Sequence, residues 1–315
     1  MDERVDRFYI YNFSLKKENI DQRLDRILIQ YLEDNDDLPF ALSRNKVQKY
    51  IKNGFVLVNG RTCKPSCKIN KNDRVELKIP VESEQPQERE AQKIYCEIVY
   101  YDDDIIIVNK PQGLVVHPAY GHSSGTLVNA ILYYFPEMKK NTDLSRCGLV
   151  HRLDKDTSGL LVLARNERSH IDLSRQFKER KVKKEYAALV KGQMTERSGS
   201  LTTGIGRDPR DRKKMRATGD KKAFTAFEVL ETFPYYSFIK LFPHTGRTHQ
   251  LRVHMNHLKH PIVGDVIYSG KSIPWDDLGL MLCATRLSFF HPTNKEMVSF
   301  EIGIPDRFKI LLNST

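Results

Sequence analysis

The segment "HRLDKDTSGLLVLARN" places two carboxylates, Asp154 and Asp156, among cations immediately before a short apolar run. An ionised carboxylate can act as a nucleophile, as a base or as a stabiliser of positive charge. Aspartate is also common in turns, because its side chain bonds to nearby backbone, and Gly159 permits a sharp entry into the apolar run. The segment alone leaves two hypotheses open, a catalytic loop and an ordinary turn.

A second cationic segment, "PHTGRTHQLRVH", lies later in the chain and contains Arg247 and Arg252. Its pattern predicts Arg247 in a tight loop and Arg252 in a helix with a wide apolar face. An arginine that close to a core usually has a carboxylate partner. A carboxylate held by an arginine keeps a low pKa and stays ionised. Together the two segments favour an aspartate with a chemical role.

Several other kinds of site are disfavoured by motifs that the sequence lacks. It has no G-x-x-x-x-G-K-[ST], no H-E-x-x-H and no G-x-S-x-G, and "GIG" at 204–206 does not continue into G-x-G-x-x-G. Histidines crowd one region, and these are His249, His254, His257 and His260. Their spacing does not bring four ligands together on a helix, and Cys63 and Cys67 lie alone, so we expect no metal and no nucleotide cofactor.

The composition indicates a basic protein with enough apolar residues for real cores. The chain has 315 residues, a formal net charge of +11 and 40% hydrophobic residues, which suits about two domains. The positive excess is spread along the chain, so we expect a nucleic acid partner bound through its phosphates. No apolar run approaches the ~18 residues of a membrane span, the N-terminus lacks a signal-peptide core, and the five cysteines are scattered. We therefore expect a cytoplasmic protein without membrane contact.

Patterning divides the chain into four parts. Residues 1–17 are expected to be an N-terminal extension, 18–80 a small α+β domain, 81–93 a polar linker and 94–315 a larger domain. The small domain is predicted to bury one face of each of two helices. The apolar positions are Ile20, Leu24, Ile27, Leu28 and Tyr31 in the first helix and Val47, Tyr50 and Ile51 in the second. The second helix is expected to start at a Ser43 cap and to stop at Gly54.

The larger domain has more strand patterns than helix patterns, and its strands often follow one another directly. We expect an α+β fold in which a mixed, mainly antiparallel sheet with flanking helices surrounds a central cleft. The run at 207–222 contains eight basic and three acidic residues. It is interpreted either as a mobile solvated loop or as a loop that clamps RNA and becomes ordered on binding.

The order "RLDRIL…SRNKVQKYIKNGFVLVNG" resembles the small RNA-binding domain first recognised in a ribosomal small-subunit protein. In that family two helices present basic residues to structured RNA, mainly through phosphate and shape contacts. The corresponding basic residues here are Arg44, Lys46, Lys49 and Lys52. An ordinary solvated helix face is the alternative interpretation of the same residues.

Four later segments, "NKPQGLVVHP", "HRLDKDTSGLLVLARN", "KKEYAALVKG" and "HTGRTHQLRVHMNHLKHPIVGD", follow that domain and the linker in order. With them, nearly the whole chain resembles the RluA family of pseudouridine synthases. The resemblance implies an enzyme that converts uridine in RNA into its carbon-linked isomer without a cofactor and without a metal.

The resemblance also implies roles for individual residues. Asp154 is the expected catalytic residue, Tyr186 stacks on the target ring, and Arg252 pairs with Asp154. Four further residues are expected to contact the substrate, and these are Arg152, Leu251, Arg247 and His249. Arg152 is expected to fill the gap left by the flipped base, and Leu251 to line the pocket. The residues expected to be mainly structural are Lys110, His117 and, as a turn residue, Asp156.

The chemistry and the RNA leave alternatives open. Asp154 can attack the ring, attack the sugar or remove a ribose proton. Family members with this N-terminal domain most often act on large-subunit ribosomal RNA, which we expect as the substrate of a monomeric enzyme, with tRNA as the alternative. A second hypothesis is a non-catalytic RNA-binding or ribosome-assembly protein. A third, a methyltransferase or tRNA synthetase fused to the same domain, lacks the nucleotide or methyl-donor loop that it needs.

Overall fold

The structure is a computed structural model, and the residues that it describes are 8–13, 21–34, 44–80, 90–117, 124–139, 145–211, 214–270 and 278–313. The chain divides into two compact units, unit 1 from Met1 to Gln87 and unit 2 from Glu88 to Thr315. None of the helices in these described ranges is long and apolar enough to cross a membrane. The domain limits proposed from the sequence stay predictions.

Unit 1 packs two helices against a small antiparallel sheet. The helices are α1, Leu24–Asp34, and α2, Arg44–Lys52. The strands are β1, Phe8–Phe13, β2, Val56–Val58, β3, Arg61–Thr62, and β4, Val75–Pro80. The order in the sheet is β1-β4-β2-β3.

The predicted apolar faces of both helices are confirmed where the structure describes them. The buried residues on these faces are Leu24, Ile27, Leu28, Val47, Tyr50 and Ile51. Gly54 follows α2 with a φ of 78°, the left-handed conformation that commonly ends a helix. The positions of Ile20 and Ser43, and the side chain of Tyr31, lie outside the described residues.

Strand β1 was not anticipated. Residues 1–17 were expected to be an extension, yet Phe8–Phe13 pairs with β4, from Phe8 opposite Pro80 to Phe13 opposite Val75. The segment "FYIYNF" is rich in aromatic and β-branched residues, which favour strands. The sheet of unit 1 therefore begins before the limit that helix patterning suggested.

Unit 2 is built on one large sheet with helices on both faces. Its strands are β5, Glu97–Tyr101, β6, Ile105–Lys110, β7, Ser158–Ala164, β8, Lys183–Lys191, β9, Ser198–Arg207, β10, Met215–Thr232, β11, Tyr236–Pro243, β12, Leu282–Phe290, and β13, Met297–Glu301. Its helices are α3, Leu127–Tyr134, α4, Glu167–Lys178, α5, Gln250–His257, and α6, Asp306–Leu312.

The sheet of unit 2 has the order β5-β6-β7-β12-β8-β11-β10-β9, and β13 pairs with β12. Between the described strands, β7 and β12 form the parallel pair, and the other pairs are antiparallel. This arrangement confirms the expected mixed, mainly antiparallel sheet.

The middle of this sheet is covered on both faces. Ile106 of β6 lies in the same buried cluster as Ile131 of α3, whereas its neighbour Ile107 lies in a second cluster with Leu173 of α4. Every residue of β7 is buried, as expected for a central strand with helices on either side. The strand that follows Asp154 is thus anchored from both faces.

Gly159 allows the chain to enter β7 directly beside β12. Its φ is 111°, and a Cβ atom at this position would lie 2.3 Å from the backbone oxygen of Ala284. Gly159 is also paired with Ala284 in the parallel ladder. A larger residue would push the two strands apart, so the glycine of the Thr-Ser-Gly sequence is required by strand packing.

The basic run at 207–222 lies largely in a β-hairpin, so the expectation of a loop was wrong. Strands β9 and β10 pair with Met215 opposite Arg207. Apolar residues between the charges explain this outcome, because Met215 packs against a buried cluster that includes Ile205 and Val253 of α5. The RNA-clamping interpretation of the charges stays a prediction.

His151 fixes the start of the loop that carries Asp154. Its Nε2 accepts a hydrogen bond from the backbone N–H of Val162 at 3.0 Å, and its ring stacks on Phe177 with 4.5 Å between centroids. A ring nitrogen can accept only in the neutral imidazole. Burial lowers the pKa of His151 to about 3, so the ring stays neutral well below neutral pH.

We predict that His151 makes the stability of unit 2 depend on pH above the range in which carboxylates titrate. Between about pH 6.5 and pH 5 the unfolded chain binds a proton at His151 that the folded chain does not bind. The free energy of unfolding therefore decreases as the pH is lowered, by roughly 1.4 kcal/mol per pH unit. Urea unfolding followed by circular dichroism measures this slope. It should be shallower in His151→Gln, and equal slopes would contradict the prediction.

Candidate active site

The loop that carries Asp154 is tied to the turn after β6. The backbone oxygen of Lys155 accepts hydrogen bonds from the backbone N–H of Gly113 at 3.0 Å and from Lys110 Nζ at 2.9 Å. Thr157 closes the loop by donating its backbone N–H to the backbone oxygen of Asp154 at 3.2 Å. The position of Asp154 is therefore set by backbone contacts on both sides.

Lys110 is fully buried, and its ammonium group organises this region. Besides the bond to Lys155, Nζ donates to the backbone oxygens of Pro111 at 2.9 Å and Leu114 at 2.8 Å. Burial lowers the pKa of Lys110 to about 8, while the charges of Asp156 and Asp154 act in the opposite direction. These contacts favour the structural role expected for Lys110.

Two nitrogen-bearing side chains face the same oxygen of the Asp154 carboxylate. Arg252 Nη1 lies 3.7 Å from Asp154 Oδ2, and His249 Nε2 lies 4.0 Å from the same atom. The side chain of Arg252 is 4% exposed, whereas that of Asp154 is 21% exposed. The carboxylate is thus held from the protein side and remains reachable from outside.

Besides the expected ion pair with Asp154, Arg252 has a closer partner, Asp265, which was not predicted from the sequence. Arg252 Nε and Nη2 donate to the two oxygens of Asp265 at 2.7 Å each. Asp265 is buried and also accepts the backbone N–H groups of Ile267 and Tyr268. The guanidinium has enough donors to hold one carboxylate with two nitrogens and to face a second with Nη1.

Tyr186 lies in β8, opposite Leu241 of β11 and Ala284 of β12. Its side chain is buried. Burial raises the pKa of Tyr186, and the negative charge of Asp154 raises it further. The phenol is therefore protonated at neutral pH, and the charge of Asp154 is close enough to affect its pKa.

The remaining expected substrate residues have different positions. Leu251 is buried in α5, whereas Arg152 and Arg247 are exposed. Arg247 donates from Nε to the backbone oxygen of Lys222 in the basic hairpin at 3.2 Å. The structure thus brings Asp154, His249 and Arg252 together and leaves the two arginines at the surface.

Asp265 and Tyr268 belong to the site but were not recognised in the sequence. Tyr268 hydrogen-bonds to His249 Nδ1 at 2.8 Å and lies under Arg252, whose guanidinium carbon is 5.2 Å from the ring centroid. The rule that a buried arginine has a carboxylate partner predicts an acidic residue near Arg252, but Asp154 and Asp265 satisfy it equally well.

One group of possible metal ligands, Asp102, Asp104 and His291, occurs within the described ranges. Asp102 Oδ1 accepts the backbone N–H groups of Asp104 and Ile105, and Oδ2 accepts from Tyr100 and bonds to His291 Nε2. These carboxylate oxygens already have protein partners, so the group is better explained as the polar link between β5 and β6.

Comparisons with known proteins show the family to which the chain belongs. The family described as RNA pseudouridylate synthase matches residues 104–257, and the S4 domain family matches residues 36–75. An uncharacterized RNA pseudouridine synthase of Aquifex aeolicus (strain VF5) is 42% identical over 306 residues, covering 93% of this chain and 94% of that protein. Ribosomal large subunit pseudouridine synthase D of Neisseria meningitidis serogroup A is 40% identical over 303 residues, covering 92% and 78%.

A solved structure supports the same assignment. Human RNA pseudouridylate synthase domain containing 1 has a TM-score of 0.56 and 30% identity, and the match covers 71% of this chain and 97% of that one. The fold and the site define an isomerase that acts on RNA. The chain belongs to the RNA pseudouridylate synthase family, as the resemblance in the sequence predicted, and it carries an S4 domain in its N-terminal part.

We predict that Asp265→Asn destabilises unit 2 by about 3 kcal/mol, because it leaves the buried charge of Arg252 without its carboxylate partner. Urea unfolding compared with the wild type measures this loss. Asp306→Asn is the matched control, since Asp306 makes an exposed ion pair with Lys309 and its loss should leave the unfolding midpoint unchanged. Equal midpoints for all three proteins would contradict the importance of the buried pair.

Proposed function

We propose that this enzyme converts uridine to pseudouridine in large-subunit ribosomal RNA, with Asp154 as the catalytic carboxylate. The observation that carries the assignment of Asp154 is its contact with Arg252, whose Nη1 lies 3.7 Å from Oδ2. The ribosomal substrate is inferred from the Neisseria relative, a ribosomal large subunit pseudouridine synthase D whose match covers 92% of this chain.

The charges around Asp154 support its proposed role. Arg252 is fixed by Asp265 and cannot turn away from Asp154 without breaking that buried pair. An aspartate carboxylate held in this position is suited to attack on the ring, to attack on the sugar or to removal of a ribose proton. All three routes end with the base rejoined to the ribose through carbon five.

Tyr186 and Leu251 are proposed to form the walls of the base pocket. Both side chains are buried, and Tyr186 offers an aromatic face on which the uracil ring can stack. Such walls keep water away from the detached base, which would otherwise be lost by hydrolysis. Burial raises the pKa of Tyr186, so its phenol stays protonated at neutral pH and is proposed to take part in the reaction as a neutral hydroxyl group.

The exposed arginines are proposed to act on the RNA around the target nucleotide. A uridine within folded RNA must leave the base stack, at a cost of a few kcal/mol. Arg152, two positions before Asp154 and exposed, is proposed to fill the gap left by the flipped base. Arg247 and His249 are proposed to contact the substrate beside it.

Unit 1 is proposed to bind RNA through the basic face of α2. Lys49 and Lys52 are exposed there, and the side chains of Arg44 and Lys46, which complete the expected set, lie outside the described residues. A cytoplasmic monomer is the simplest state for an enzyme that acts on ribosomal RNA. The predicted limits of 18–80 and 94–315 are proposed for its two domains, with the smaller domain extended to include β1, which pairs with β4.

We predict that wild-type protein releases tritium from unmodified ribosomal RNA transcripts labelled at carbon five of uridine, because forming the carbon–carbon bond removes that hydrogen. Asp154→Asn should release none. Asp156→Asn is the matched control, since it makes the same substitution two positions away in the same loop and should retain most of the activity. Release is counted as soluble tritium over time.

Each other result of the tritium assay has a distinct meaning. Release from tRNA alone would overturn the ribosomal substrate and keep the enzyme. Full activity in Asp154→Asn with loss in Asp156→Asn would show that the wrong carboxylate had been chosen. Absence of release from every RNA, with RNA binding intact, would support a non-catalytic RNA-binding protein.

We also predict that replacing Lys49 and Lys52 together with alanine weakens RNA binding and lowers its salt dependence. Each phosphate contact that is lost reduces the slope of log affinity against log salt by roughly 0.7 to 0.9. Fluorescence anisotropy at several salt concentrations measures both quantities. Lys71→Ala, an exposed lysine outside α2, is the control. An unchanged slope in the double variant would exclude this face.

A further inference from the structure

The hydroxyl group of Tyr268 joins the basic hairpin to the side chain that faces Asp154. It accepts the backbone N–H of Met215, at the start of β10, at 2.8 Å. On its other side it hydrogen-bonds to His249 Nδ1, also at 2.8 Å. The Tyr268 ring meets the His249 ring edge-on, with 5.7 Å between centroids and an interplanar angle of 89°.

These contacts favour one tautomer of a neutral His249. A phenol has a single O–H, and while its oxygen accepts from Met215, donation of that proton to His249 Nδ1 lets the hydroxyl group use both its donor and its acceptor. Nδ1 then accepts, so the ring proton lies on Nε2. The other tautomer would turn an imidazole lone pair towards the Asp154 carboxylate, which electrostatics disfavours. Burial lowers the pKa of His249, which favours the neutral ring.

The backbone of His249 is held in an uncommon conformation at the same point. Its φ is 54°, the left-handed region, and it forms the N-cap of α5 without capping the helix through its side chain. A residue other than glycine is rarely found there unless its surroundings hold it in place. The His249 ring thus contacts Tyr268 through Nδ1 and faces Asp154 through Nε2.

We propose that Tyr268 is a positioning residue that fixes His249 with its proton on Nε2, so that His249 and Arg252 present N–H donors to the same oxygen of Asp154. This inference rests on the proposed function, because it takes Asp154 as the catalytic carboxylate. The distance of 4.0 Å between His249 Nε2 and Asp154 Oδ2 is that of a free site, and such contacts commonly shorten when substrate binds.

The arrangement also selects the oxygen that meets the substrate. Arg252 Nη1 and His249 Nε2 both approach Oδ2, which leaves Oδ1 to face the nucleotide. Tyr268 supports both donors at once, because its hydroxyl group bonds to His249 and its ring lies against the Arg252 guanidinium. Removing the hydroxyl group alone therefore keeps the packing of the ring and breaks the hydrogen bonds to His249 and to the backbone of Met215, and the tautomer measured by NMR reports the loss of the first.

The test compares wild type, Tyr268→Phe and Tyr236→Phe as full-length proteins. Tyr268→Phe keeps the ring over Arg252 and removes the hydroxyl group. Tyr236→Phe is the matched control, because it removes a buried hydroxyl group that donates to the backbone oxygen of Leu311. Tyr236 lies five residues along β11 from Leu241, which is opposite Tyr186, so it is about 17 Å from that point.

Two readouts are measured, the tautomer of His249 and the rate of pseudouridine formation. Nitrogen-15 NMR of labelled histidine reports the tautomer, and loss of a signal in His249→Gln assigns it. We expect the Nε2–H form in wild type, a mixture in Tyr268→Phe, and a kcat about tenfold lower in that variant, the rate equivalent of one hydrogen bond. KM should change little, and Tyr236→Phe should match wild type in both readouts.

The double variant Tyr268→Phe, His249→Gln should be no slower than His249→Gln alone, because the two residues act as one unit. Additive losses would overturn the inference. A proton on Nδ1 in wild type, or an unchanged tautomer and kcat in Tyr268→Phe, would overturn it as well. If wild type forms no pseudouridine, the proposed function fails and the catalytic purpose of the contact fails with it, whereas a defect confined to the Tyr268 and His249 variants leaves the proposed function standing.

Discussion

The buried ion pair between Arg252 and Asp265 is the constraint on which the rest of the site depends. Two nitrogens of the guanidinium are taken by one carboxylate at 2.7 Å, and neither charge can move without leaving the other uncompensated in the interior. The direction of the third nitrogen, Nη1, towards Asp154 follows from this pairing. Asp265 also accepts the backbone N–H of Tyr268, so the turn that supports His249 is organised by the same carboxylate.

Much of this site could be predicted from the sequence, including the approach of Arg252 to Asp154, but the second carboxylate that holds Arg252 could not. The resemblance identified Asp154, Tyr186 and Arg252, and the structure brings Arg252 within 3.7 Å of Asp154. Helix periodicity placed Arg252 on a helix near a core, which implied a carboxylate partner. Which carboxylate takes that place depends on how the turn after α5 folds back, and nothing in local spacing distinguishes Asp265 from Asp154.

The fold could be predicted from the sequence where apolar residues recur with the period of a helix or a strand. It could not be predicted where charged residues interrupt that pattern. The helices of unit 1 and the strands around Asp102–Asp104 follow their patterns. The basic hairpin does not, because its pairing with β9 and the packing of Met215 on Val253 are tertiary contacts. Strand β1 was missed for a related reason, since its partner β4 lies far along the chain.

The position of strand β12 in the sheet affects how the protein folds during its synthesis. It lies between β7, which follows Asp154, and β8, which contains Tyr186, although it comes after both of them in the chain. While the ribosome is still synthesising the residues before β12, the nascent chain already contains both side chains but lacks the strand that joins them. Contacts between residues so distant in sequence form late. The sheet can therefore bring Asp154 and Tyr186 to their positions only after β12 has been synthesised.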